Sequence, residues 1–137
     1  MKEVYFNDVD FIQTDIYKNF IDKNKGSGSL NIRAYAAGKA IPINGLNITV
    51  FKVLDNYKVV FFEGSTDSSG VINNIVLPTP IISDDKELIP LSQDYDVVAN
   101  YENQKLFFKI ILYSNIEVNQ NINITPNIRL DGKTYGG

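Results

Sequence analysis

"IEVNQNINI", residues 116–124, decides how this chain is read. Ile116, Val118, Ile122 and Ile124 fall on alternate positions, and Glu117, Asn119, Asn121 and Asn123 fill the places between. A strand turns successive side chains to opposite faces, so this segment has one dry side and one wet side. The three-and-four spacing of a helix does not fit it.

The same period runs back through the chain. "KLFFKIIL" (105–112) sets Leu106, Phe108, Ile110 and Leu112 against Phe107, Lys109 and Ile111. "YDVVANY" (95–101) precedes it across "ENQ", a break of hairpin length. "VINNIVL" (71–77) follows a polar turn, and "YKVVFFEG" (57–64) is apolar on both faces at its centre. "LNITVF" (46–51) puts Leu46, Ile48 and Val50 on one side, and "SLNIRAYA" (29–36) does the same with Leu30, Ile32 and Ala34. Seven short strands with no helix between them predict an all-β, seven-stranded antiparallel β-sandwich. Its two inner faces would share a core of Ile, Val, Leu and Phe, each worth about 1.5–3 kcal/mol when fully buried.

Upstream the period changes. Tyr5, Val9, Ile12, Ile16 and Phe20 step by four, three, four and four, the spacing of one helical face. This predicts an amphipathic helix over about 8–22, capped by Asn7 or Asp8. "KNKGSGS" (23–29) reads as a flexible linker. The domain expectation is therefore an N-terminal arm over 1–25, a sandwich over 26–127, and a tail or small hairpin over 128–137. The five apolar arm residues are the candidate partner-binding set.

Composition removes most chemistry. The 137 residues include no His and no Cys, which excludes thiol nucleophiles, histidine bases, Ser-His-Asp triads, disulfides and the usual zinc ligands. A net charge of −3 with scattered cations gives no nucleic-acid footprint. No apolar run has the length of a membrane helix, and the start "MKEVYFNDVDF" is unlike a secretory signal, so a protein made in the cytoplasm is expected. No cofactor, no metal and no catalytic residue are expected.

Motifs that resemble catalytic ones fail on inspection. "TDSSG" (66–70) has one carboxylate where a calcium loop needs several, and reads as a turn with Gly70 at positive φ. "SDDK" (83–86) has Ser-x-x-Lys spacing but lacks the companion motifs. "DGKT" (131–134) has Asn127 where a phosphate loop needs glycine. The two "NIT" sequons, 47–49 and 123–125, lie on predicted strands. Tyr5, Tyr17, Tyr57, Tyr101 and Tyr113 could line a sugar-binding face, although the capping of a sandwich core is the preferred reading.

Taken in order, "GSLNIRAYAAGKAIPINGLNITVFKV", "STDSSGVINNIVLPTP", "IPLSQDYDVVANY" and "IEVNQNINITPN" resemble the transthyretin-like, carboxypeptidase-regulatory-like β-sandwich. The nearest variety is that of Gram-positive spore and cell-wall proteins, such as the front domain of clostridial spore-cortex lytic enzymes. The resemblance covers about residues 28–127 and implies the sandwich fold. The family's hydroxyisourate-hydrolysing branch relies on histidines and a C-terminal Tyr-Arg-Gly-Ser, and this sequence has neither.

Together these observations predict a non-enzymatic structural or interaction protein. The expected role is a decorating or connecting subunit of a particle assembled in the cytoplasm, either a bacteriophage virion or phage-tail-like particle or a spore layer. It would attach through its N-terminal arm and sheet edges, and end on the virion or spore surface. Protein partners and self-association are the expected contacts. The alternative is a carbohydrate- or peptidoglycan-binding module, or an accessory domain of a cell-wall hydrolase.

Overall fold

The computed structural model describes residues 1–38, 40–81 and 91–125. The "SDDK" and "DGKT" motifs, the Asp131-Gly132 turn and the 128–137 tail lie outside the described residues. The protein is an all-β sandwich with a helical segment near its N-terminus. Its strands are β1 (Lys2–Tyr5), β2 (Gly26–Ala36), β3 (Ile41–Pro42), β4 (Asn47–Leu54), β5 (Tyr57–Ser65), β6 (Val71–Thr79), β7 (Ser92–Tyr101), β8 (Gln104–Tyr113) and β9 (Glu117–Asn123). A 3-10 turn (Phe11–Gln13) and helix α1 (Asp15–Lys23) lie between β1 and β2.

One sheet has the order β1-β5-β4-β7-β8. In the other, β2 pairs with β3, β6 and β9. The antiparallel sandwich is refined in two places, because β1 runs parallel to β5 and β9 runs parallel to β2. Neither pairing is local in sequence, and periodicity reports a strand's faces without naming its neighbour.

The main core is built from the expected alternate positions. Leu30, Ile32 and Ala34 of β2, Ile75 and Leu77 of β6, and Ile122 of β9 face Ile48 and Val50 of β4, Tyr95, Val97 and Ala99 of β7, and Ile110 and Leu112 of β8. A second cluster of Val4, Phe11 and Val59 adjoins it, and Phe6, Leu54 and Phe61 touch both. The helical segment thus extends the second layer across β1 and β5.

The helix is shorter than its apolar stripe suggested, for a local reason. The Thr14 hydroxyl donates to Phe11 O at 2.7 Å and accepts from Tyr17 N at 3.2 Å. It closes the 3-10 turn and caps α1, with Thr14 itself extended at φ −80 and ψ 154. Asp8 caps the preceding turn, its Oδ1 accepting from the Asp10 and Phe11 amides at 2.9 and 3.0 Å. Asp15 and Lys23 sit at the ends of α1 that suit their charges.

The Gly/Ser run read as a linker is strand. A Cβ on Gly28 would lie 2.6 Å from Tyr113 O, and one on Gly26 would lie 2.7 Å from Ser114 Oγ. Small residues are required here because the β8–β9 connection passes directly over β2. "TDSSG" is a turn: Asp67 Oδ1 accepts from Ser69 N and Val71 N, and Gly70 has φ +77.

Candidate functional site

The wet side of β9 is where a site forms. Its parallel register with β2 pairs Asn31 with Asn119, Arg33 with Asn121, and Tyr35 with Asn123. The buried Leu30, Ile32, Ala34 and Ile122 on the other side give this face a packed floor. On β6, a register shift opposite Leu30–Ile32 brings Asn73 and Asn74 alongside. Asn74, at φ +62, donates its backbone N–H to Asn31 Oδ1 at 2.8 Å. Asn31 Nδ2 in turn donates to Asn119 Oδ1 at 3.0 Å. Asn31 is thereby fixed from both neighbouring strands.

Two depressions share this face. One, of about 370 Å³, is walled by Arg33, Ala34, Tyr35, Pro42, Ser69 and Asn121. The other, of about 320 Å³, runs past Asn31, Asn73, Asn119 and Gln120. Arg33 and Asn121 line both, so the two depressions adjoin along this face with Arg33 shared between them, and together they are called the groove. No carboxylate is among the described residues that line either depression. Arg33 makes no salt bridge with any described residue. Each amide offers two donors and an acceptor, so the surface can bind groups that both give and take hydrogen bonds.

The solvent face of the larger sheet has the opposite character. Register places Thr49, Val98 and Phe107 in one row and Phe51, Asp96 and Lys109 in the next. Phe107 is 69 % exposed and Ile111 54 %. Lys109 Nζ bonds Asp96 Oδ1 at 2.7 Å, which holds the lysine pKa above its usual range. Lys52 donates to Asp94 Oδ1 at 3.0 Å, and this bond keeps the Asp94 carboxyl below the usual range. Burial pushes the Tyr95 phenol strongly upward, and its hydroxyl donates to Pro78 O.

The arm residues are distributed between core and surface. Phe20 is 7 % exposed inside the main core, and Ile16 packs on the Val4–Phe11–Val59 cluster. Ile12 is half-buried, Val9 is 73 % exposed, and Tyr5 donates its hydroxyl to Glu63 Oε1 at 2.9 Å. Phe11, which the stripe omitted, is the most buried residue of the segment at 2 %. Of the five tyrosines singled out, Tyr17 and Tyr57 pack on the second cluster and Tyr101 on the first. The tyrosine in the groove is Tyr35, which follows from β2's alternation once β9 is known to lie beside it.

No family model matches the sequence, and no curated protein matches it. Among solved structures, a 5-hydroxyisourate hydrolase from Klebsiella pneumoniae is similar, with a TM-score of 0.44 and 11% identity. The match covers 80% of this chain and 98% of that one. The likeness is one of fold, in line with the transthyretin-like sandwich, and brings neither an activity nor the spore and cell-wall setting with it. The expected role as a virion or spore decorating subunit is corrected, since the similar structure lends it no support. The segment cast as its anchor also places Phe11 and Phe20 inside the domain.

Proposed function

We propose that the protein is a non-catalytic binding domain that holds a glycan in the amide-lined groove formed by β2, β6 and β9. The observation that carries this reading is the fixed Asn31–Asn119 pair, flanked by Asn73, Asn121 and Gln120 over a packed floor. Preset amides suit a polyhydroxylated ligand, whose neighbouring hydroxyls each donate and accept. Tyr35 adds an aromatic side chain to the wall.

The test is a titration of uniformly ¹⁵N-labelled full-length protein with soluble neutral oligosaccharides from cellulose, starch and chitin. Shifts confined to Asn31, Asn119, Asn121 and their strand neighbours, lost in Asn121→Ala, are expected. A groove unresponsive to this panel and to an acidic oligosaccharide refutes the reading.

A second contact is carried by a separate observation, the exposed Phe107 and Ile111 on β8, the last strand of the larger sheet. The same face carries paired Lys109 and Asp96, so it presents both charges to an identical face. The proposal is weak self-association there. Sedimentation should show a concentration-dependent dimer that Phe107→Asp abolishes, and a monomer at all concentrations counts against it.

A further inference from the structure

We infer that the groove selects an acidic sugar, a hexuronate or another carboxylated unit, with Arg33 as the group that receives the carboxylate. The inference rests on the glycan reading and adds the charge of the ligand.

Arg33 lies on β2 opposite Asn121 and lines both halves of the groove, so any ligand spanning the halves passes it. Among the described residues Lys25, Lys52, Lys58 and Lys109 form ion pairs with Asp22, Asp94, Glu3 and Asp96, and of the other described cations Arg33 is the one that lines the groove. Arg33 is in no such pair with a described residue, and its guanidinium can offer two parallel N–H groups to a carboxylate. The nearest same-face acid on β9 is Glu117, four residues before Asn121 and therefore about 13 Å along the strand. Asp67, beside the Ser69 wall, has Oδ1 taken by the Ser69 and Val71 amides at 2.9 and 3.1 Å. Among the described residues, an incoming carboxylate thus meets the Arg33 guanidinium framed by amide donors.

With a net charge of −3, the protein as a whole repels polyanions. Attraction of an acidic ligand must come from local pairing, and local pairing demands a defined geometry. That favours a discrete sugar carboxylate beside hydroxyls over a diffuse polyanion.

The experiment compares trigalacturonate with its carboxyl-reduced trisaccharide on the full-length protein, by calorimetry and amide shifts, at low and high salt. The acid is expected to bind about tenfold tighter than the reduced sugar, the order of one charge-assisted pair on an open surface. Arg33→Gln should erase that difference, Arg33→Lys should keep part of it, and salt should weaken only the acid. Equal binding of both sugars, or an undiminished preference in Arg33→Gln, overturns the inference. If that equal binding is lost in Asn121→Ala, the glycan reading survives alone. If neither trisaccharide nor the neutral panel moves the groove resonances, both readings fall. Arg33 is exposed, so an unchanged unfolding midpoint serves as the folding control.

Discussion

Two threonines allow one substitution to be made twice with opposite expected signs. Thr66 is 3 % exposed, and its hydroxyl donates to Ile43 O at 2.6 Å while accepting from Leu46 N at 3.0 Å. It clamps the entry to β4 against the exit of β5, beside the backbone bonds Thr66 N to Leu46 O and Gly45 N to Thr66 O. Thr79 has no exposure, and its hydroxyl has no hydrogen-bond partner among the described residues. Replacing either by valine exchanges a hydroxyl for a methyl group at nearly constant shape. Thr66→Val strands a buried carbonyl and a buried amide, at a cost of roughly 1–3 kcal/mol each, so a net loss of about 2–4 kcal/mol is expected. Thr79→Val removes an unpaired polar atom from an apolar site and should gain about 1 kcal/mol. Urea unfolding followed by circular dichroism reads both, with a constant m value as the check on the denatured state. A Thr79→Val protein that loses as much stability as Thr66→Val would show that burial and pairing at these sites have been misread.

Phe20→Ala should cost about 3–4 kcal/mol, as expected for a large aromatic emptied from a core, whereas Val9→Ala, at a position 73 % exposed, should change the urea midpoint little. Equal effects would mean that the segment does not pack as described. The Asp94 carboxyl has a folded pKa held below its unfolded value by Lys52, so its contribution is full above about pH 4 and disappears as pH falls through the lowered folded value. Asp94→Asn should therefore flatten the acid limb of the stability profile, modestly because the side chain is half exposed; an unchanged acid limb would refute the coupling. Gly28→Ala should destabilise the protein and disturb Asn119 and Asn121 resonances, since its Cβ would press on Tyr113 O at 2.6 Å. Wild-type resonances in that variant would show that the space over Gly28 does not set the β2–β9 register.

What could be read from the sequence was whatever one strand expresses by itself. The inner residues of β9 are apolar and their neighbours polar, so this strand and its wet side could be written down in advance. By contrast, β8 exposes Phe107 and Ile111 on its outer face, and its alternation showed the strand but not the wet side. Two features needed knowledge of a distant neighbour, and a third turned on the local bonding of one side chain. β1, only four residues long, is held by parallel pairing to β5 from Lys2–Tyr57 to Tyr5–Val60, a contact no local pattern encodes. Gly26–Ser29 looked like a flexible connector because glycine serves close approach and flexibility alike, and here it serves close approach. Thr14 interrupted an otherwise regular apolar step by bonding to the backbone on both sides of itself. Half of the candidate site was visible as the asparagines of β9. The other half, Asn31, Arg33 and Tyr35, was visible as the polar side of β2, and nothing in either segment says that the two lie side by side.

The groove's composition is therefore a matter of register, set at one end of the strand pair. Before β9 begins, Asn115, at φ +63, donates its N–H to Ser27 O at 2.8 Å, and Ser29 donates to Ile116 O at 3.1 Å. These two bonds and the side-chain-free space over Gly28 fix Ser29 against Glu117. Every later pair follows from that start, including Arg33 with Asn121 about 13 Å further on. A slip of one residue would turn Asn119 and Asn121 inward and expose Ile122, a change the buried core resists strongly. The apolar alternation that makes β9 a strand thus also holds the amides in register beside Arg33, so the hydrophobic core and the polar groove are two faces of one constraint.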